Sequence, residues 1–216
     1  VTLIPFSTFL PDVALYVPGC PQPIVEHSAI RVLADFGRDT NYETETLVAA
    51  NVTAGQADYV LSPSLGTNQF VRVEKVLFSG DELQPVSQDE LDAEYPGWRD
   101  ETGTPRLFTT ASADATITLV PKPDTTIADA LIVEIATALK PSASPTEFNS
   151  TLYDKFGDGL VAGICSRLMM MPGRSWTNLE AAAAIGYGYK LAVAKAKDEV
   201  DRRQSKARLR TRSYYR

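Results

Sequence analysis

Apolar side chains recur every three to four positions near both ends of the chain and every second position in its middle, a change of period that separates helical from strand-forming stretches. From Ile24 to Phe36, Val25, Ala29, Val32, Leu33 and Phe36 fall on one face of an amphipathic helix. His27, Arg31 and Asp35 lie opposite, and Gly37 is placed to end it. Between about Tyr42 and Leu139, short β-branched runs separated by turn clusters predict strands near Thr44 to Val52, Tyr59 to Leu61, Phe70 to Ser79, Arg106 to Thr110, Thr116 to Val120 and Ala130 to Leu139. In the last, Leu131, Val133, Ile135, Thr137 and Leu139 alternate with Ile132, Glu134, Ala136 and Ala138, as in a strand with one face in a core. A loop-rich stretch from Asp81 to Pro105 interrupts the strands and holds a short helix at Gln88 to Glu94.

Past Lys140 the helical period returns. Ser144-Pro145-Thr146-Glu147 reads as a capping box opening a helix to about Met170, in which Leu152, Phe156, Leu160, Ile164 and Leu168 repeat at i+4 and Gly157, Gly159 and Gly163 permit close approach of a neighbour. Pro172-Gly173 breaks it, and Thr177-Asn178-Leu179-Glu180 reads as a second capping box for a helix running to about Arg203. That helix is apolar nearly all round between Leu179 and Ala194, which calls for burial on more than one side. The small residues Ala181, Ala184, Gly188 and Ala192 are candidate contacts to a neighbouring copy; the competing reading is packing against helices of the same chain. The predicted fold class is α+β: a helical bundle of one N-terminal and two long C-terminal helices, an inserted antiparallel β-sandwich or barrel-like domain, and an extended C-terminal tail. The expected divisions are 1–40, 41–140, 141–203 and 204–216.

Charge refines this picture. The net charge of -6 conceals a polar division, because Arg202, Arg203, Lys206, Arg208, Arg210, Arg212 and Arg216 carry seven positive charges with no acid among them. Without them 14 basic residues stand against 27 acidic ones, so the chain is an acidic body with a basic tail. The opening VTLIPFSTFLPDV lacks a basic region and is broken by Pro5 and Pro11, unlike a signal peptide, and the numbering is expected to start just after a removed Met. The most apolar window, Leu179 to Ala196, contains Glu180, Lys190 and Lys195, so no membrane segment is expected. Cys20 and Cys165 form no C-x-x-C pair and suit a reducing compartment better than a disulfide or zinc site.

Signals for catalysis are sparse. No phosphate-binding loop, nucleophile elbow or zinc-protease helix occurs, and Gly186-Tyr187-Gly188 sits mid-helix and is too short for a dinucleotide fingerprint. His27, the sole histidine, lies on a polar helix face, where solvation is the simpler reading. Asp154 and Asp158 stand one turn apart, a solvated face or a remote cation or acid-base pair. No catalytic residue, cofactor or metal is expected, and the chain is not read as an enzyme.

Three stretches in order resemble the head-to-tail adaptor (connector) family of tailed bacteriophages. They are LYVPGCPQPIVEHSAIRVLADF; VEKVLFSGDELQPVSQDEL leading through GWRDETGTPRLFTT to ATITLVPKP; and LYDKFGDGLVAGICSRLMMMPGRSW followed by an alanine-rich helix. The resemblance covers roughly Leu15 to Arg203 and leaves Val1 to Ala14 unmatched. It implies a structural virion protein, assembled in the host cytoplasm and placed at the head-tail junction, whose copies form a homo-oligomeric ring, commonly of about twelve. It implies as partners the portal protein on one side and a tail nozzle or tail tube protein on the other, with DNA passing through the channel without sequence-specific binding and with no membrane contact.

On that likeness, Lys206, Arg208, Arg210, Arg212, Tyr214, Tyr215 and Arg216 are the candidate portal-docking residues. Extended, Gln204 to Arg216 would reach up to about 40 Å, and arginine forks suit carboxylates while tyrosines suit an aromatic anchor. The alternative is nonspecific contact with nucleic-acid phosphates. Trp98, Arg99, Asp100 and Glu101 are candidates for contact with a tail protein or a neighbour, against a loop whose Trp98 folds back on its own domain. Two competing functions stay open: a tail-associated β-sandwich that binds host carbohydrate or receptor through Trp98 and Tyr95, and a glycan-cleaving enzyme using acids such as Asp100 and Glu101, whose side chains would point apart in an extended segment.

Overall fold

The apolar N-terminal strip, for which no period predicts an element, is structured. In the computed structural model, which describes residues 2–111 and 115–204, β1 (Leu3–Pro5) leads through a 3-10 turn at Phe6–Phe9 into α1 (Leu10–Tyr16). Phe6 and Phe9 are buried and stack on Phe148 at centroid distances of 5.1 and 5.0 Å. Then α2 (Gln22–Thr40) buries Val25, Ala29, Val32, Leu33 and Phe36, the predicted stripe, and leaves His27 exposed. It runs past Gly37, which is buried inside it; Asn41, at φ 51°, ends it by donating its N–H to the Gly37 carbonyl.

The strands follow: β2 (Glu43–Thr46), β3 (Ala50–Val52), β4 (Asp58–Val60), β5 (Asn68–Phe78), β6 (Asp81–Glu82) and β7 (Gln84–Pro85). After α3 (Gln88–Glu94) come β8 (Thr102–Gly103), β9 (Leu107–Ala111), β10 (Thr116–Val120), β11 (Lys122–Pro123) and β12 (Ile127–Leu139). They form a curled, mainly antiparallel half-barrel. One sheet has the order β2-β12-β5-β6, with β3 also on β12, and another the order β4-β10-β9-β7. Val76, Phe78, Leu131, Val133 and Ile135 from the first sheet and Tyr59, Phe108, Ile117 and Leu119 from the second share one core. Two details depart from the expected antiparallel, alternating pattern. The pairs β7-β9 and β8-β11 are parallel, and β12 is buried on both faces from Ile135 to Leu139, where its register with β5 shifts twice.

The last part of the chain corrects both predicted helix starts. Ser144 is left-handed at φ 48°, and Glu147–Asn149 is a strand, β13, paired with β1, which places Phe148 in the phenylalanine stack. Helix α4 (Ser150–Met169) is capped instead by Asn149, whose side chain accepts the Thr151 N–H at 3.0 Å. In the Pro-Gly turn, the Thr177 hydroxyl accepts from the Arg174 N–H and donates to the Met171 carbonyl, so it closes the loop. Asn178 takes the capping role before α5 (Leu179–Gln204), accepting the Ala181 N–H at 3.0 Å.

Helices α4 and α5 pack antiparallel on their glycines and alanines. A methyl on Gly159 would overlap the Ala192 methyl, one on Gly188 would stand 3.2 Å from Ala162, and one on Gly163 would press on the Tyr189 ring and on Val32 of α2. Phe36 and Tyr42 meet Phe156 at 5.2 and 5.0 Å. Among the described residues, 2–42 and 146–204 thus make one compact unit, and those between 43 and 145 a second. No described helix is long and apolar enough to cross a membrane.

Candidate docking surfaces

The seven predicted portal-docking residues, from Lys206 to Arg216, lie outside the described residues; the helical turn that leads to them does not. Glu199 on α5 accepts from Lys155 Nζ of α4 at 2.6 Å, from Arg203 Nη2 at 2.8 Å and from the Tyr42 hydroxyl at 3.2 Å. Lys155 Nζ also donates to the Tyr42 hydroxyl at 2.8 Å, and the Arg203 guanidinium lies 4.3 Å from the centre of the Tyr42 ring. The hydrogen bonds from Lys155 and Arg203 hold the Glu199 carboxyl down to about 2. This cluster joins the last described turn of α5 to α4 and to Tyr42, two residues past the end of α2. Sequence inspection missed it: Glu199 and Arg203 are a visible i,i+4 pair, but Lys155 and Tyr42 are brought in only by the fold.

The four predicted ring contacts separate. Gly188 and Ala192 face α4 of the same chain, at Ala162 and Gly159, while Ala181 is half-buried and Ala184 exposed. Beyond Ala184 the outward face of α5 continues through Tyr187 and Leu191, 63% and 53% exposed, to Ala194.

In the loop after α3, Trp98 is buried against Leu91 and Val120, and its indole N–H donates to Asp92 Oδ1 at 2.8 Å. The Arg99 guanidinium pairs with both Asp92 oxygens and stacks 4.4 Å over the Trp98 ring, holding the Asp92 carboxyl below its ordinary range. Arg99, Asp100 and Glu101 are exposed. A groove of about 440 Å³ with Trp98 and Arg99 in its lining also includes Asp58, Gln88, Thr118 and Lys122.

Asp154 and Asp158 are exposed on α4 and, with Asp12, line a groove of about 310 Å³ floored by Gly159, Gly188 and Ala192. Asp12 accepts the Tyr153 hydroxyl at 2.7 Å. Among the described residues no group of three His, Cys, Asp or Glu side chains could hold a metal ion. Burial pushes the Cys165 thiol up to about 12, leaving it a poor nucleophile.

The described residues thus expose apolar side chains along one face of α5, charges on the flanks of α4 and α5, and an anchored helix end that precedes a basic run. No curated protein matches the chain. A family model described as SU10 adaptor protein matches residues 24–212, most of its length. The chain therefore belongs to the SU10 adaptor protein family, structural adaptors of bacteriophage virions.

Proposed function

We propose that this protein is the head-to-tail adaptor of a tailed phage, a ring of copies that joins the portal to the tail at the head-tail junction and continues the DNA channel. The basic segment Lys206 to Arg216 grips carboxylates and apolar pockets of the portal protein, and the exposed Arg99, Asp100 and Glu101 meet a tail nozzle or tube protein or a neighbouring copy. The carrying observation is the junction at the end of α5. The acidic body stops there, Glu199 ties Arg203 to Lys155 and Tyr42, and the next twelve residues contain five cations and no acid. A rigid helix end leading into a cationic arm suits a graft onto an acidic partner.

The test is co-sedimentation with the portal ring of the same virus, using the full chain and a chain ending at Arg203. Saturable binding by the full chain that the shorter chain loses, with unchanged helical circular dichroism, is the expected result. Binding by neither chain would overturn the reading.

A further inference from the structure

Helix α5 is apolar on the side facing away from its own packing. Ala184, Tyr187, Leu191 and Ala194 follow one another at intervals of three and four residues and are all exposed, whereas Ala182, Ala196 and Val200 on the other side are buried. A face of that spacing accepts a partner. The partner is not the same face of a second α5. Side by side in parallel, Lys190 of one copy would meet Lys195 of the other, and an antiparallel pairing of Tyr187 with Leu191 would set Glu180 against Asp198.

The two flanks of the α4–α5 pair do complement each other. One flank carries Asp154 and Asp158, neither in an ion pair among the described residues; Lys155 beside them is committed to Glu199, and Lys195 lies over the Phe156 ring. The other flank carries an apolar groove of about 490 Å³, with Val32, Gly163, Ala183 and the 54% exposed Met170 in its lining. Arg167 and Lys190 stand exposed on that groove without an ion pair among the described residues, while Asp35 is taken by Arg38.

We propose that the outward face of α5 docks onto a second copy of this chain in a head-to-tail contact: Tyr187 and Leu191 of one copy enter the groove between α2, α4 and α5 of the next, and Asp154 and Asp158 meet Arg167 and Lys190. The contact joins unlike faces, so it propagates from copy to copy and closes only into a ring. It rests on the adaptor reading above and names the surface by which that ring is made.

Two experiments test it. In a Cys20→Ser background, chains carrying Tyr187→Cys mixed with chains carrying Met170→Cys should form a disulfide-linked dimer, and either alone should not. No mixed disulfide at any attainable concentration, or equal trapping in the unmixed samples, overturns the proposal. Separately, Asp154→Lys with Asp158→Lys, and Arg167→Glu with Lys190→Glu, should each weaken crosslinked self-association by about tenfold or more. An equimolar mixture should regain it, because each reversed flank finds the other reversed flank. A mixture as weak as its components overturns the charge pairing. Portal co-sedimentation of the same samples reads the adaptor role independently: trapping without portal binding removes that role and leaves the surface, whereas portal binding without trapping does the reverse.

Discussion

Gly159 is where two helices come closest, and its missing side chain sets their separation. An added methyl would occupy the space of the Ala192 methyl, so Gly159→Ala should destabilise the helical unit by about 1–3 kcal/mol despite its better helix propensity. Adding Ala192→Gly should recover most of that loss; urea unfolding of the two single variants and the double variant measures the coupling. Glu199 makes a different kind of contribution. Its carboxyl ordinarily titrates near 4.5 and sits at about 2 in the fold, so its contribution is complete above about pH 4.5 and is lost as pH falls toward 2. Glu199→Gln should therefore lower the urea midpoint at pH 7 and differ less from the parent at pH 3. Cys165 is buried with its thiol raised to about 12, and a thiol reagent should modify Cys20 well before it in the native protein, with both reacting in urea.

Helices α3, α4 and α5 begin where a side chain satisfies one of the first free backbone donors, whereas α1 and α2 start beside a proline without such a cap. For α4 and α5 those side chains are Asn149 and Asn178, although the Ser-x-x-Glu and Thr-x-x-Glu patterns stand only a few residues upstream. At the first site, extended backbone through Phe148 forms the β13 strand and fills the stack with Phe6 and Phe9; at the second, the Thr177 hydroxyl is spent on the turn. Asn149→Ala and Asn178→Ala should each cost about 1 kcal/mol in thermal unfolding, while Ser144→Ala should cost much less, since Ser144 caps no α-helix. Helix α3 keeps its predicted bounds because Ser87 is a real cap, accepting from the Glu90 N–H.

For the whole molecule, the chain leaves its helical unit after Tyr42 and returns at Thr146, so the strands between form a separate body with a core of their own, from Val52 to Ile135. A polypeptide of residues 43–145 should accordingly fold alone and give one cooperative urea transition; a broad, non-cooperative melt would show that its order depends on the rest of the chain. The helical unit holds the features that suit an assembling protein: the outward face of α5, the two charged flanks and the anchored root of the basic segment. Substitutions in the 43–145 core should affect stability while leaving portal co-sedimentation of the folded fraction unchanged.

The amphipathic stripe of α2, the Gln88–Glu94 helix and the Thr116–Val120 strand were legible in the sequence because each depends on contacts or periods within a few residues, as was the basic run after Asp201, which is a matter of composition alone. The structured N-terminal strip, the β1–β13 pairing that displaces the Ser144 start of α4, the double-sided burial of β12 and the Tyr42–Lys155–Glu199–Arg203 cluster were not, since each joins residues distant in the chain. The small residues of α5 show the division most clearly. Their pattern announced close packing, yet whether Gly188 and Ala192 face the chain's own α4 and Tyr187 faces outward is a question of helix rotation, which a nearly all-apolar helix leaves open until a neighbour packs against it.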